Sequence, residues 1–117
     1  MDDRKARTVA NWLRAANLKP GINRNVKLPI LFSGLAASGS VDVMLQGNGK
    51  LAYFLKSTEG FKGNYRGYVY VDSGFSFTIS NDYYGRRTID ILAPRGDYLV
   101  IDKNLSNNLY AVFSDMG

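Results

Sequence analysis

The sequence predicts an α+β fold: an N-terminal amphipathic helix packed on a strongly curved or barrel-like antiparallel β-meander of six or seven strands. Three observations carry this. Val9, Trp12, Leu13 and Ala16 recur at helical spacing, whereas from Val41 onward the apolar period is two. In addition, Gly47-Asn48-Gly49, Asp72-Ser73-Gly74 and Pro94-Arg95-Gly96 are three short turns that share a glycine in third place. At 117 residues, 45% of them apolar, the chain suits one domain: a basic helix over 1–19, a connector over 20–40 and the meander over 41–117.

The helix is expected from about Asp3 to Asn17, with Asp2 and Asp3 at its electropositive start and Lys19-Pro20-Gly21 stopping it. Its apolar stripe is expected to bury Trp12. Arg4, Arg7, Asn11 and Arg14 form a polar rail on the other side. In the connector, Val26 to Phe32 reads as a short strand that Pro29 confines to a sheet edge, and 33–40 is small and flexible.

The meander strands are expected at about 41–46, 50–57, 65–71, 75–80, 87–93, 97–103 and 108–114. A one-residue slip moves every side chain to the opposite face, so the turns fix the register. With three-residue loops and glycine in the left-handed region, Leu45 pairs with Leu51 and Val43 with Tyr53. By the same rule Val71 pairs with Phe75, Val69 with Phe77, Ile91 with Leu99 and Ile89 with Ile101. This register gathers Val69, Val71, Phe75, Phe77 and Ile79 in the core. It turns Arg66, Tyr68 and Tyr70 outward beside Ser76 and Thr78.

Charge is placed unevenly. Residues 1–27 carry seven Lys or Arg against two Asp, and 28–117 carry eight against eight, so the net +5 is N-terminal. Such a segment attracts nucleic acid or another polyanion through a salt-sensitive field. An outward face of Arg66, Tyr68 and Tyr70, with a second cluster of Tyr83, Tyr84, Arg86 and Arg87, offers rings and guanidinium groups on which unpaired bases stack. The candidate nucleic-acid site is therefore these seven residues with Arg4, Arg7 and Arg14 of the helix.

Arg66-Gly67-Tyr68-Val69-Tyr70-Val71 partly resembles the first ribonucleoprotein motif of RNA-recognition and cold-shock proteins, in which a basic residue and Gly precede exposed aromatics. Val69 stands where that motif has a small residue and Ser73 where it has another aromatic; the likeness covers about six residues. It implies base stacking on Tyr68 and Tyr70.

The chain has no Cys and no His, which removes thiolate and imidazole chemistry and most zinc sites. No calcium loop or phosphate-binding loop is present, and no catalytic residue, metal or cofactor is expected. Without an apolar run of membrane-spanning length or a hydrophobic leader, a cytoplasmic location is expected, or the host cytoplasm for a viral protein, with no membrane partner. The leading expectation is a non-enzymatic nucleic-acid-binding protein that prefers single strands. The alternative is a protein-interaction module, either a homo-oligomeric structural subunit or a small inhibitor of a larger assembly, since Tyr and Arg also dominate protein hot spots.

Overall fold

The computed structural model describes residues 1–59, 65–93 and 98–115. Helix α1 spans Asp3–Arg14; its cap is Asp2, whose carboxylate accepts from the Lys5 N–H at 2.8 Å. The helix ends earlier than the sequence suggested. Ala15 and Ala16 close the last turn with bonds to the Trp12 and Leu13 carbonyls, and Asn17 then takes a φ of 57°. An asparagine in this left-handed region terminates a helix by itself, so Pro20 has no part in stopping it. Ala6, Val9, Ala10 and Leu13 are the fully buried stripe, and Trp12, partly buried, packs against the same core.

Eight strands follow: β1 (Gly21–Lys27), β2 (Ser40–Leu45), β3 (Leu51–Glu59), β4 (Tyr65–Val71), β5 (Ser80–Tyr83), β6 (Arg86–Thr88), β7 (Tyr98–Asn104) and β8 (Leu109–Asp115). They form one antiparallel sheet in the order β1-β2-β3-β4-β8-β7-β6-β5. The sheet is open, with β1 and β5 at its edges, and is neither a barrel nor strongly curled. The edge strand lies over 21–27, not 26–32. Pro29, at φ −62° and ψ 158°, instead precedes a single helical turn, α2 (Ile30–Ser33).

The first hairpin forms as the turn rule requires: Leu45 pairs with Leu51, Val43 with Tyr53, and Gly49 has φ +81°. The second does not. Gly74 takes φ +86° and Phe75 N–H closes the turn onto the Asp72 carbonyl, but 75–79 forms no strand and β4 pairs with β8 instead. The reason is two-sided burial. β3 and β4 are covered on both faces, with Leu51, Tyr53, Leu55 and Tyr70 in one core and Ala52, Phe54, Val69 and Val71 in the other. A strand beside β4 must therefore be apolar on both faces. Leu109–Phe113 meets that demand; Phe75–Ile79 would have set Ser76 and Thr78 beneath the helix. Expelled from the sheet, 75–79 lies over the second face, where Phe75 is buried and Phe77 meets Tyr110 edge-on at 6.3 Å. The Gln46 side-chain amide bonds both the N–H and the carbonyl of Ser76, replacing a strand neighbour.

The third hairpin is shifted. Thr88 pairs with Val100 and the Ile89 N–H bonds the Leu99 carbonyl, two residues from the expected register, which preserves the faces. Pro94-Arg95-Gly96 lies outside the described residues. Asp90 ends the short β6 by accepting from Leu99 N–H and the Thr88 hydroxyl, after which the chain turns and buries Leu92.

Helix α1 crosses β3 and β4. The Tyr53 hydroxyl donates to the Ala6 carbonyl at 2.9 Å, and the Arg14 guanidinium grips both oxygens of Asp72 at 2.7 Å. Burial, then the nearby Tyr70 and Asp3, pushes the Tyr53 phenol far above its usual 10.0. Burial, then Asp72, also raises Tyr70. Both phenols are thus neutral in the fold and ionise first in the unfolded chain. Their stabilising contribution is complete below about pH 10 and is lost as pH rises above it toward the folded-state values. Urea midpoints measured from pH 8 to 12 are expected to fall from about pH 10 upward, less steeply in Tyr53→Phe.

Gly67 is buried where β4 passes the irregular stretch of β3; an added Cβ would stand 2.2 Å from the Leu55 carbonyl oxygen. Backbone cannot yield as a side-chain tip does. Gly67→Ala is expected to lower unfolding free energy by about 2–3 kcal/mol in urea titrations, the upper range for overpacking.

Candidate nucleic-acid interface

Alternation along β4 puts Arg66, Tyr68 and Tyr70 on one face, as expected, but that face carries the helix. Tyr70 is 6% exposed, stacked on Tyr53 at 5.3 Å between ring centroids, and its hydroxyl donates to Asp72. Tyr68 is half-buried against the same core, its hydroxyl accepting from the Met1 amino nitrogen at 3.2 Å. The outward placement of Tyr68 and Tyr70 is therefore corrected. They seat α1, and the ribonucleoprotein-like stretch uses its aromatics and Gly67 for packing. The run Leu51-Ala52-Tyr53-Phe54-Leu55, apolar at every position, was the sequence signal that both faces are covered here.

One rung beyond Tyr68, past the helix N-terminus, the face changes character. Arg66, its side chain 71% exposed, stands opposite Phe113 of β8, with its guanidinium carbon 5.8 Å from the ring centroid. Arg86 of β6 approaches the same ring at 4.9 Å. The pairing Thr88–Val100–Phe113 explains the convergence: it carries the face from β6 through β7 to β8, and Arg86 lies two residues from Thr88 on that face. Tyr98, 41% exposed, lies two residues from Val100 on the same face. Among the described side chains Asp102 is an acidic neighbour, 3.8 Å from Arg66, and both side chains are more than half exposed. An exposed pair of that kind is worth little and opens readily to another anion. The fold thus unites Arg66 and Arg86, twenty residues apart in the chain, on a phenylalanine that the sequence reading did not select.

The other candidates are dispersed. Arg87 is exposed on the opposite side of β6. Arg4 and Arg7 are exposed on the outer face of the helix's N-terminal half, the end nearer Arg66, and Arg7 pairs with Asp3 at 2.9 Å. Arg14 is committed to Asp72 and Asn11, a bond set that stabilises the fold. Tyr83 pairs by its backbone with Arg86, flanking a two-residue loop of Tyr84 and Gly85. Among the described residues no group of acidic side chains is placed to hold a metal, and no helix is long and apolar enough to cross a membrane. No protein-family model, curated protein or solved structure matches the chain.

Tyr84 and Gly85 have φ of 51° and 73°, the two positive values of a type I′ turn. Asn is the usual first residue there; a bulky side chain is strained in that region. The fold accepts the strain and holds a tyrosine ring 87% exposed at the hairpin tip. Strain of this sort concentrates at contact sites. Tyr84→Asn is expected to raise stability by about 0.5–1 kcal/mol in urea titrations, as relief of a left-handed bulky residue does.

Proposed function

We propose that the protein is a non-enzymatic nucleic-acid-binding domain that prefers single strands and receives them on the Arg66–Phe113–Arg86 cluster. The observation that carries this reading is the convergence of two exposed guanidinium groups on one ring. A guanidinium near an aromatic ring has N–H groups left for phosphate oxygens, and the ring contact limits the side-chain entropy that binding costs. Tyr98 and the strained Tyr84 supply rings for bases, and Arg4 and Arg7 extend the positive field along the helix.

A protein-contact reading rests on a different observation: Ile30 and Leu31 of α2 are 94% and 85% exposed. Adjacent exposed aliphatics of this kind suit the interface of an oligomeric subunit or of an inhibitor of a larger assembly.

Labelled single-stranded DNA and RNA, titrated at several salt concentrations, separate the two. Arg66→Ala and Arg86→Ala are each expected to weaken binding and to lower the salt slope by about one unit, as loss of a phosphate contact does. Tyr98→Ala is expected to weaken it by about 1–3 kcal/mol at unchanged slope, the signature of stacking. Arg14→Ala lowers stability and leaves the slope alone. Absence of binding at low salt overturns the proposal, and a concentration-dependent mass abolished by Leu31→Asp then favours the protein-contact reading.

A further inference from the structure

One carboxylate stands beside the basic cluster. β7 pairs with β8 at Ile101–Val112 and next at Lys103–Ala111, so Asp102 is an extra residue with no partner of its own across the ladder. A bulge of this kind re-aims side chains. Here it brings both Asp102 and Lys103 to the face of Arg66. Ala111, opposite Lys103, also pairs with Tyr68, and the Asp102 carboxylate lies 3.8 Å from the Arg66 guanidinium. Lys103 is exposed, so Arg66, Arg86 and Lys103 share this face with the carboxylate.

Stability does not account for this carboxylate. Strands disfavour Asp. Asp72 and Asp90 each accept hydrogen bonds that hold separate segments together. Among the described residues Asp102 has only the Arg66 pair, longer than a hydrogen bond and set between side chains 71% and 53% exposed. Such a pair adds little to folding and is screened by salt. On a surface that receives a polyanion, it also weakens the attraction unless the bound strand offers the carboxylate a donor.

A phosphate that takes the Arg66 guanidinium displaces Asp102 and leaves it beside a second anion. In a ribonucleotide the 2′-hydroxyl sits on the carbon next to the one that bears the 3′-phosphate, so a donor arrives with the phosphate itself. Deoxyribose has a methylene there. Base N–H groups change from one nucleotide to the next, whereas the sugar hydroxyl is present at every position, as a surface that attracts by charge requires. Building on the single-strand reading of this cluster, we infer that Asp102 makes it an RNA site. The guanidinium groups and Lys103 hold phosphates, and the Asp102 carboxylate accepts from a neighbouring 2′-hydroxyl and discriminates against DNA.

The test is fluorescence anisotropy on the whole protein at low salt, with labelled strands of about ten nucleotides. Three strands are compared: uridine RNA, deoxyuridine DNA, and 2′-O-methyluridine RNA, which keeps the ribose pucker and lacks the hydroxyl donor. The uridine RNA is expected to bind at least about tenfold more tightly than the other two, as one hydrogen bond to a charged group provides. Asp102→Ala should bring that ratio to about one, weakening RNA by loss of the acceptor and strengthening DNA by loss of the repulsion. Lys103→Gln should weaken all three strands alike, since a phosphate contact does not read the sugar. The 2′-O-methyl comparison uses the unaltered protein and needs no variant to fold. DNA bound as tightly as RNA or more so, 2′-O-methyl RNA bound as tightly as RNA, or a preference that survives Asp102→Ala each overturns the inference and leaves the single-strand reading in place. Absence of binding to all three strands overturns both.

Discussion

Asp72 stands at the point where three segments of the chain meet. Its carboxylate receives the Arg14 guanidinium from the end of α1, the Leu51 N–H from the start of β3 and the Tyr70 hydroxyl from β4, and its own N–H bonds the Leu51 carbonyl. A 7% exposed carboxylate is tolerable only with this full set of donors. Satisfying it fixes the position of the helix along the strands, aligns the first hairpin with β4, and sets the turn that sends the chain out of the sheet at Phe75. The bonding is complete elsewhere as well: among the described residues no buried side-chain polar atom lacks a partner.

From that anchor the remaining architecture follows by exclusion. With α1 held across β3 and β4, the strand beside β4 has one face under the helix and the other in the second core, so it must be apolar on both. β8 wins the place over the nearer segment 75–79, at the entropic cost of closing a much longer loop. Asn108 secures the choice at the strand's entry, where its side chain donates to the Val71 carbonyl at 2.7 Å and its own carbonyl accepts the Val71 N–H. The displaced 75–79 then serves as a lid on the second core, which an open sheet needs and a barrel would not.

Local chemistry was legible in the sequence, and distant pairing was not. The acidic start of the helix, the inward placing of Val9 and Leu13 and the Gly49 turn each rest on a few adjacent residues, and each formed as read. The Gly74 turn also formed, yet the hairpin inferred from it did not, because a turn sets direction and not the neighbour that awaits. β1 escaped notice because it is an edge strand with most residues exposed, which carries almost no apolar period. For the site, Arg66, Arg86 and the exposed Tyr84 were visible as polar or tip residues. Phe113 was not, since a phenylalanine in an apolar strand carries no mark of the two arginines that the sheet order brings to it. The tyrosines of β4 were misplaced for the same reason: period two shows which residues share a face and is silent on what covers it.

The strand order divides the domain into two four-stranded meanders, β1 to β4 and β5 to β8, that touch edge to edge along the β4–β8 seam. Within each half every ladder joins consecutive strands, so loop closures are short. The seam joins residues as far apart as Arg66 and Phe113, and the chain must run to the far edge and return before it can close. The seam therefore carries a larger loop-closure cost than the ladders between consecutive strands. The same geometry makes the basic cluster a reporter of completion. Arg66 belongs to the first meander, Phe113 and Arg86 to the second, and the surface they compose exists only once the two halves have joined.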